Sequence, residues 1–176
     1  MKRIDVYTDG AVSGNPGGPG GAAAIVRDYI TQEVYTEGRF SKETTNQRAE
    51  LKGMILGFNE IIDRHYLFSK DLMFTEINIY SDSAYCVRAF NENWLRNWKY
   101  NGWITSTKQP VANQDLWKEL DRLVSLCKQE GAAVNFIKVK GHSTNEFNNM
   151  ADEIAVYCKK RQQNYSKADT FEKESK

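Results

Sequence analysis

Two short alternating segments, each running into an acid, do most to limit how this chain can fold. Ile4-Asp5-Val6-Tyr7-Thr8-Asp9-Gly10 delivers the carboxylate of Asp9 and then stops in glycine; residues 76–81 alternate Ile77 and Ile79 with Asn78 and Tyr80 and deliver Asp82. An acid at a strand end is by itself a turn former. Two such ends constrain more. If the segments are parallel neighbours joined by the strands and helix between them, their carboxyl ends coincide, which is where open α/β sheets bind ligands. Glu50 and Asp152 stand at the edges of periodic segments that a compact fold can bring to the same place.

Residues 10–21 hold enough glycine for the backbone to take positive φ and approach a ligand closely. A phosphate-binding P-loop is excluded, because no Gly-Lys-Ser/Thr follows and residues 22–27 read as strand. Residues 32–40 alternate again, so the opening third is a three-stranded antiparallel meander. Thr44 with Gln47 offers a capping box before Leu51, Ile55, Phe58 and Ile62, which recur at helical spacing and put Glu50 in the first turns of a helix. Asp82 and Ser83 can cap a second helix over 84–90. Trp94 and Trp98 are four residues apart and share a helical face. Asn113 starts an amphipathic helix with Leu116, Leu120, Leu123 and Cys127 on one side, closed by Glu130-Gly131. A fifth strand over 133–140 leads through Gly141-His142-Ser143 to a last helix, 148–160, which turns Met150, Ala151, Ile154, Ala155 and Cys158 inward and carries Asp152 near its start. Residues 161–176 are polar and charged, and a disordered tail is expected there.

The length suits one domain, here 1–160. With 24 Lys and Arg against 23 Asp and Glu there is no global field to attract a polyanion, so any such partner is bound by a local patch. Residues 93–114 offer one, since Arg96, Lys99 and Lys108 are the only charges in that stretch. The three cysteines, Cys86, Cys127 and Cys158, are widely spaced in helical patterns and read as buried thiols in a reducing compartment. No apolar run approaches the roughly 20 residues that cross a bilayer, and the expectation is a soluble, cytoplasmic monomer. Four convergent carboxylates suit hard divalent cations such as Mg²⁺, two of which can clamp the attacking and leaving oxygens of a phosphodiester. Zinc is disfavoured, because His65 and His142 are far apart in the sequence and the cysteines lack ligand spacing. A two-carboxylate glycosidase fits the residue types alone, but the asparagine-rich loops and the Trp/Lys stretch favour a polyanionic substrate.

Thr8-Asp9-Gly10-Ala11 through Gly14-Asn15-Pro16-Gly17, Thr44-Thr45-Asn46-Gln47-Arg48-Ala49-Glu50-Leu51, Ser81-Asp82-Ser83, Asn97-Trp98 through Gly102-Trp103, Asp115-Leu116-Trp117, and Val139-Lys140-Gly141-His142 with Asp152-Glu153 together resemble type 1 ribonuclease H of the bacterial kind, in order and over residues 1 to about 160. The resemblance implies a ribonuclease H-like α/β fold, a five-stranded mixed sheet in the order 3-2-1-4-5 flanked by helices. It implies Mg²⁺-dependent cleavage, with Mn²⁺ as an alternative ion, of the RNA strand of an RNA–DNA hybrid to 5′-phosphate and 3′-hydroxyl ends. Asp9, Glu50, Asp82 and Asp152 match the metal-binding catalytic acids, and His142 matches a loop histidine that assists proton transfer or product release. Asn15, Asn46 and Gln47 match residues that meet the hybrid in its minor groove. Thr45 and Asn113 match a pocket for a DNA-strand phosphate, and Trp98 and Lys99 match a basic protrusion against the DNA backbone. The chain departs from the family pattern at Glu43, Ala84 and Asn149, none of which removes a metal ligand. The rivals are a strand-transfer enzyme of the same superfamily, which would lack the Asn46-Gln47 motif and the Trp-rich protrusion together, and a non-catalytic hybrid-binding module, which would have lost an acid.

Overall fold

The computed structural model describes residues 2–14, 16–67, 71–141 and 144–171. In chain order these form β1 (Lys2–Val12), β2 (Gly20–Asp28), β3 (Glu33–Ser41), α1 (Asn46–Leu67), β4 (Thr75–Ser81), α2 (Ala84–Asn91), α3 (Trp94–Tyr100), α4 (Gln114–Gln129), β5 (Ala133–Lys138), α5 (Glu146–Arg161) and β6 (Tyr165–Thr170). One mixed sheet runs β5-β4-β1-β2-β3-β6. The expected 3-2-1-4-5 order is present within it. Among the described residues no helix is long and apolar enough to cross a membrane.

Alternation along the strands sorts side chains to two faces. On one, Ile4 and Val6 of β1, Ala24 and Val26 of β2 and Ile77 and Ile79 of β4 are buried in the main core with Leu51, Met54 and Phe58 of α1 and Trp117, Leu120, Leu123 and Cys127 of α4. On the other, Tyr7 and Ile25 pack with Ala151 of α5, and Tyr80, Phe147 and Met150 lie against them. All three cysteines are free and buried. Burial pushes the thiols of Cys86 and Cys127 up to about 12, which leaves them inert.

Four expectations are corrected. β1 does not stop at Gly10 but runs on to Val12. What Gly10 supplies is room: a Cβ there would lie 2.8 Å from the backbone of Ala49 and Glu50, so the missing side chain is what lets α1 cross the end of β1. The first helix is capped one residue later than the capping box predicts. The Arg48 amide donates to Thr45 Oγ1 at 3.2 Å, whereas Thr44 is pinned through its backbone to Gly17 and Gly18 of the glycine loop. The last helix begins at Glu146, where Asn145 Oδ1 accepts from the amides of Phe147 and Asn148. Finally, the polar stretch after Arg161 is not an unpaired tail throughout. Residues 165–170 form β6 antiparallel to β3, with Tyr165 opposite Gly38 and Thr170 opposite Glu33, and the sheet has six strands. An edge strand is held by backbone hydrogen bonds, so a polar composition does not prevent it from pairing.

Candidate active site

β1 and β4 pair in parallel with Tyr7 opposite Tyr80, so Asp9 and Asp82, each two residues further on, leave the sheet side by side. α1 arrives over Gly10 and adds Glu50. Carboxylate oxygens of Asp9, Glu50 and Asp82 lie within 4.8 Å of one another. Asp152 stands outside that triplet, but it comes from α5 on the opposite face and lines the same cleft of ≈ 230 Å³, together with Thr8, Lys140, Gly141, Asn148 and Asn149.

Electrostatics make the cluster unusual. None of the four acids is in an ion pair among the described residues. Burial, reinforced by the charge of Asp82, pushes the Asp9 carboxyl up to about 7, even though the Gly10 amide donates to its Oδ1 at 2.8 Å. Burial and the charges of Asp9 and Asp82 raise Glu50 well above the ordinary carboxylate range. Glu50 Oε2 is buried with no hydrogen-bond partner among the described residues. A buried, unsatisfied carboxylate oxygen beside two more carboxylates is an all-oxygen donor set that lacks a positive charge, and a hard divalent cation fits it. Soft or borderline metals do not, since no sulfur or imidazole ligand is in the group.

A second group forms where α1 starts. Asn46 and Gln47 are exposed on its first turn. Asn113, held in the left-handed region at φ 58° ahead of α4, makes no side-chain cap to that helix. Its amide nitrogen instead reaches Gln47 Oε1 at 3.3 Å and the Tyr85 hydroxyl at 3.4 Å. Arg48 locks this arrangement through two hydrogen bonds to Asp115, 2.9 and 2.7 Å. Thr45, Asn46, Gln47 and Asn113 are thus brought together. Sequence reading gave no role to Arg48, Asp115 or Tyr85, because pairs separated by dozens of residues leave no trace in local periodicity.

Trp98 and Lys99 lie on α3, linked to that group through Trp117. The ring of Trp98 packs 5.5 Å from Trp117, whose indole N–H donates to the Tyr85 hydroxyl at 2.9 Å. Trp98 also meets Trp103 at 6.0 Å and Trp94 at 6.1 Å, so it is a packing residue as well as a surface one. Lys99 is paired with Asp121 of α4 at 3.1 Å, an acid the sequence stretch 93–114 does not contain. Asn15 and His142, the remaining expected site residues, lie outside the described residues.

Comparison with known proteins shows the family and the fold. The RNase H family model matches residues 1–159. Ribonuclease H of Acetivibrio thermocellus is 44% identical over 156 residues, covering 89% of this chain and 94% of that protein. Ribonuclease H of Caldanaerobacter subterraneus subsp. tengcongensis is 43% identical over 153 residues, 87% of this chain and 88% of that one. Among solved structures, LC9-RNase H1, a type 1 RNase H with the type 2 active-site motif, superposes with a TM-score of 0.77 at 23% identity, covering 97% of this chain and 78% of its own. LC11-RNase H1 in complex with an RNA/DNA hybrid gives 0.61 at 22% identity, with 90% and 98% covered. At those identities the structures speak for the fold, and the sequence matches carry the rest: this chain belongs to the RNase H family.

Proposed function

We propose that the protein is an endoribonuclease that hydrolyses the RNA strand of RNA–DNA hybrids, using Mg²⁺ in the carboxylate cluster. The observation that carries this reading is the meeting of Asp9, Glu50 and Asp82 within 4.8 Å at coincident strand ends. The amide-bearing first turn of α1, with Asn46 and Gln47, starts one turn before Glu50 on the same helix. Asp9, Glu50 and Asp82 would hold the metal, with Asp152 facing them across the cleft. When bound, divalent ions supply an activated water and offset the charge that develops on the scissile phosphate. Asp9, pushed up to about 7 by burial and the charge of Asp82, would have to give up its proton for a cation to be held there, so cation affinity is expected to rise as pH passes through neutrality. Water adds at phosphorus, the P–O3′ bond breaks, and the 3′ oxygen leaves with a proton. The products are a 5′-phosphate and a 3′-hydroxyl.

Substrate choice rests on the other groups. The side-chain amides of Asn46 and Gln47 can donate to and accept from minor-groove base edges and 2′-hydroxyls, which distinguish an RNA strand from DNA. Thr45 and Asn113 suit a DNA-strand phosphate, and Trp98 with Lys99 suits the DNA backbone further along. His142 and Asn15 keep the roles implied by the resemblance, proton transfer or product release for the first and minor-groove contact for the second. The deciding experiment incubates labelled RNA–DNA hybrid, duplex DNA, duplex RNA and single-stranded RNA with and without Mg²⁺ or Mn²⁺. Cation-dependent cleavage confined to the RNA strand of the hybrid is expected. Equal cleavage of duplex DNA, or none of the hybrid, would overturn the reading.

A further inference from the structure

Arg27 occupies an unusual position for a cation. It lies on β2, opposite Asp5 of β1 and Val34 of β3, on the sheet face that α5 covers. It makes no ion pair among the described residues, and its Nε is buried without a hydrogen-bond partner among them. Its guanidinium packs instead against aromatic rings from three parts of the chain. The centroid of Phe147 is 4.3 Å away, that of Phe171 4.9 Å and that of Tyr29 5.0 Å. A guanidinium held by ring faces is attracted electrostatically with little loss of planarity or orientation, and Arg suits such stacking better than Lys.

These rings are not equivalent. Phe147 is the second residue of α5, and its amide donates to the cap residue Asn145. It also leans on Tyr7 at 5.3 Å, and Tyr7 stacks on Tyr80 at 4.8 Å, so it connects to the two strands that deliver Asp9 and Asp82. Phe171 directly follows β6, meets Tyr29 edge-on at 5.2 Å, and donates its amide to the Gln32 carbonyl at 2.8 Å. β6 otherwise touches α5 through the half-buried Tyr165, which meets Tyr157 edge-on at 5.8 Å toward the far end of the helix, and its remaining residues are exposed. Arg27 therefore joins the end of the C-terminal strand to the first turn of the helix that carries Asp152, five residues beyond Phe147.

We propose that Arg27 is a positioning residue for the reaction: with Phe147, Phe171 and Tyr29 it fixes the first turn of α5 and so sets where Asp152 enters the acidic cleft. The inference rests on the proposed function only for the role of Asp152. On this account the C-terminal strand tunes catalysis from the far edge of the sheet without touching substrate. The hybrid-binding groups on α1 and α3 lie outside the clamp, so it acts on kcat and on cation binding rather than on KM.

The test compares the full chain with Arg27→Met, Arg27→Lys and Phe171→Ala, all assayed well below the lowest Tm of the set. Three quantities are read: amide hydrogen exchange over residues 146–152 without metal, Mg²⁺ binding by calorimetry without substrate, and kcat and KM on a hybrid. Arg27→Met is expected to speed exchange in the first turn of α5, to weaken Mg²⁺ binding about tenfold, the scale seen when groups that orient metal ligands are removed, and to lower kcat with KM unchanged. Arg27→Lys, which keeps the charge but loses the planar stack, should recover part of each effect. Phe171→Ala should shift all three in the same direction as Arg27→Met, and it carries the test if Arg27→Met does not fold. Variants that lose Tm but keep the exchange, Mg²⁺ binding and kcat of the unaltered protein would overturn the proposal and leave Arg27 a packing residue. Should the unaltered protein fail to cleave hybrid at all, the functional reading falls, while exchange over 146–152 still decides the clamp.

Discussion

The acidic cluster makes the metal-free protein less stable than its fold requires, and Asp9→Asn is the cleanest way to show it. Asparagine keeps the volume and keeps an oxygen for the Gly10 amide, which now donates to Asp9 Oδ1. It removes one charge from a site where burial and Asp82 push Asp9 from 3.8 up to about 7. Between those values the folded protein holds a proton that the unfolded chain has released, so stability falls as pH rises from about 4 to about 7 and stays at the lower level above. At about 1.4 kcal/mol per tenfold change in proton affinity, the full penalty at pH 8 is about 4 kcal/mol. Glu50 remains buried beside the new asparagine, so part of the penalty stays, and a gain of about 2 kcal/mol is the working expectation. For a chain of this size that is a rise in Tm of about 4–8 °C. The assay is thermal unfolding in EDTA at pH 4 and pH 8. Asp9→Asn should melt higher than the unaltered protein at pH 8 and level with it at pH 4, and saturating Mg²⁺ should close the gap at pH 8 by stabilising the unaltered protein more. A Tm difference that is the same at both pH values, or a variant that melts lower at pH 8, would refute the electrostatic account.

Gly10→Ala puts a methyl 2.8 Å from the backbone of Ala49 and Glu50; it should cost about 1–3 kcal/mol and depress hybrid cleavage at temperatures where the protein is still folded, as α1 carries Glu50 away from Asp9. His65→Leu breaks a buried pair in which His65 Nε2 lies 3.1 Å from Asp28 Oδ2. Burial pushes Asp28 up, but His65 and the amides of Thr31 and Ile30 outweigh it and hold the carboxyl below its ordinary value. That contribution is present above about pH 4 and lost as pH falls further, and the variant should lose about 2 kcal/mol at pH 7, the scale of a buried acceptor that loses one hydrogen-bond partner, read as a lower urea midpoint. Ending the chain at Asn164 removes β6 and Phe171 and should lower Tm by about 4–8 °C; no change would mean the strand contributes nothing in solution. Lys99→Ala should weaken hybrid binding and flatten its log–log salt dependence by about 0.9 for each phosphate that the lysine neutralises, whereas Trp98→Ala should also destabilise the protein, since that ring packs on Trp103 and Trp117.

What could be read in the sequence follows from what each interaction needs. Asp9 and Asp82 were legible because strand alternation fixes where a strand ends, and two strands that end in acids are informative even before their pairing is known. Glu50 was legible because helical periodicity locates it within a turn of the helix start. The reason it reaches Asp9 was not, since that depends on the absence of a side chain at Gly10, whose glycine reads equally well as a strand stop. Asp152 shows the limit of position along an element: it is near the start of α5, yet it lines the cleft without joining the triplet of carboxylates. β6 escaped for a different reason. Residues 165–170 bury almost nothing, and their stability comes from backbone pairing with an edge that β3 leaves open, which hydrophobic patterning does not register. The same segment ends in Phe171, the one aromatic after Tyr165, and that ring finds Arg27. In a chain whose clustered acids are so nearly legible, the parts that sequence hides are the ones that set distances: a missing Cβ, an arginine paired across the fold, and a guanidinium between rings. Those are also where substitutions should separate catalysis from stability.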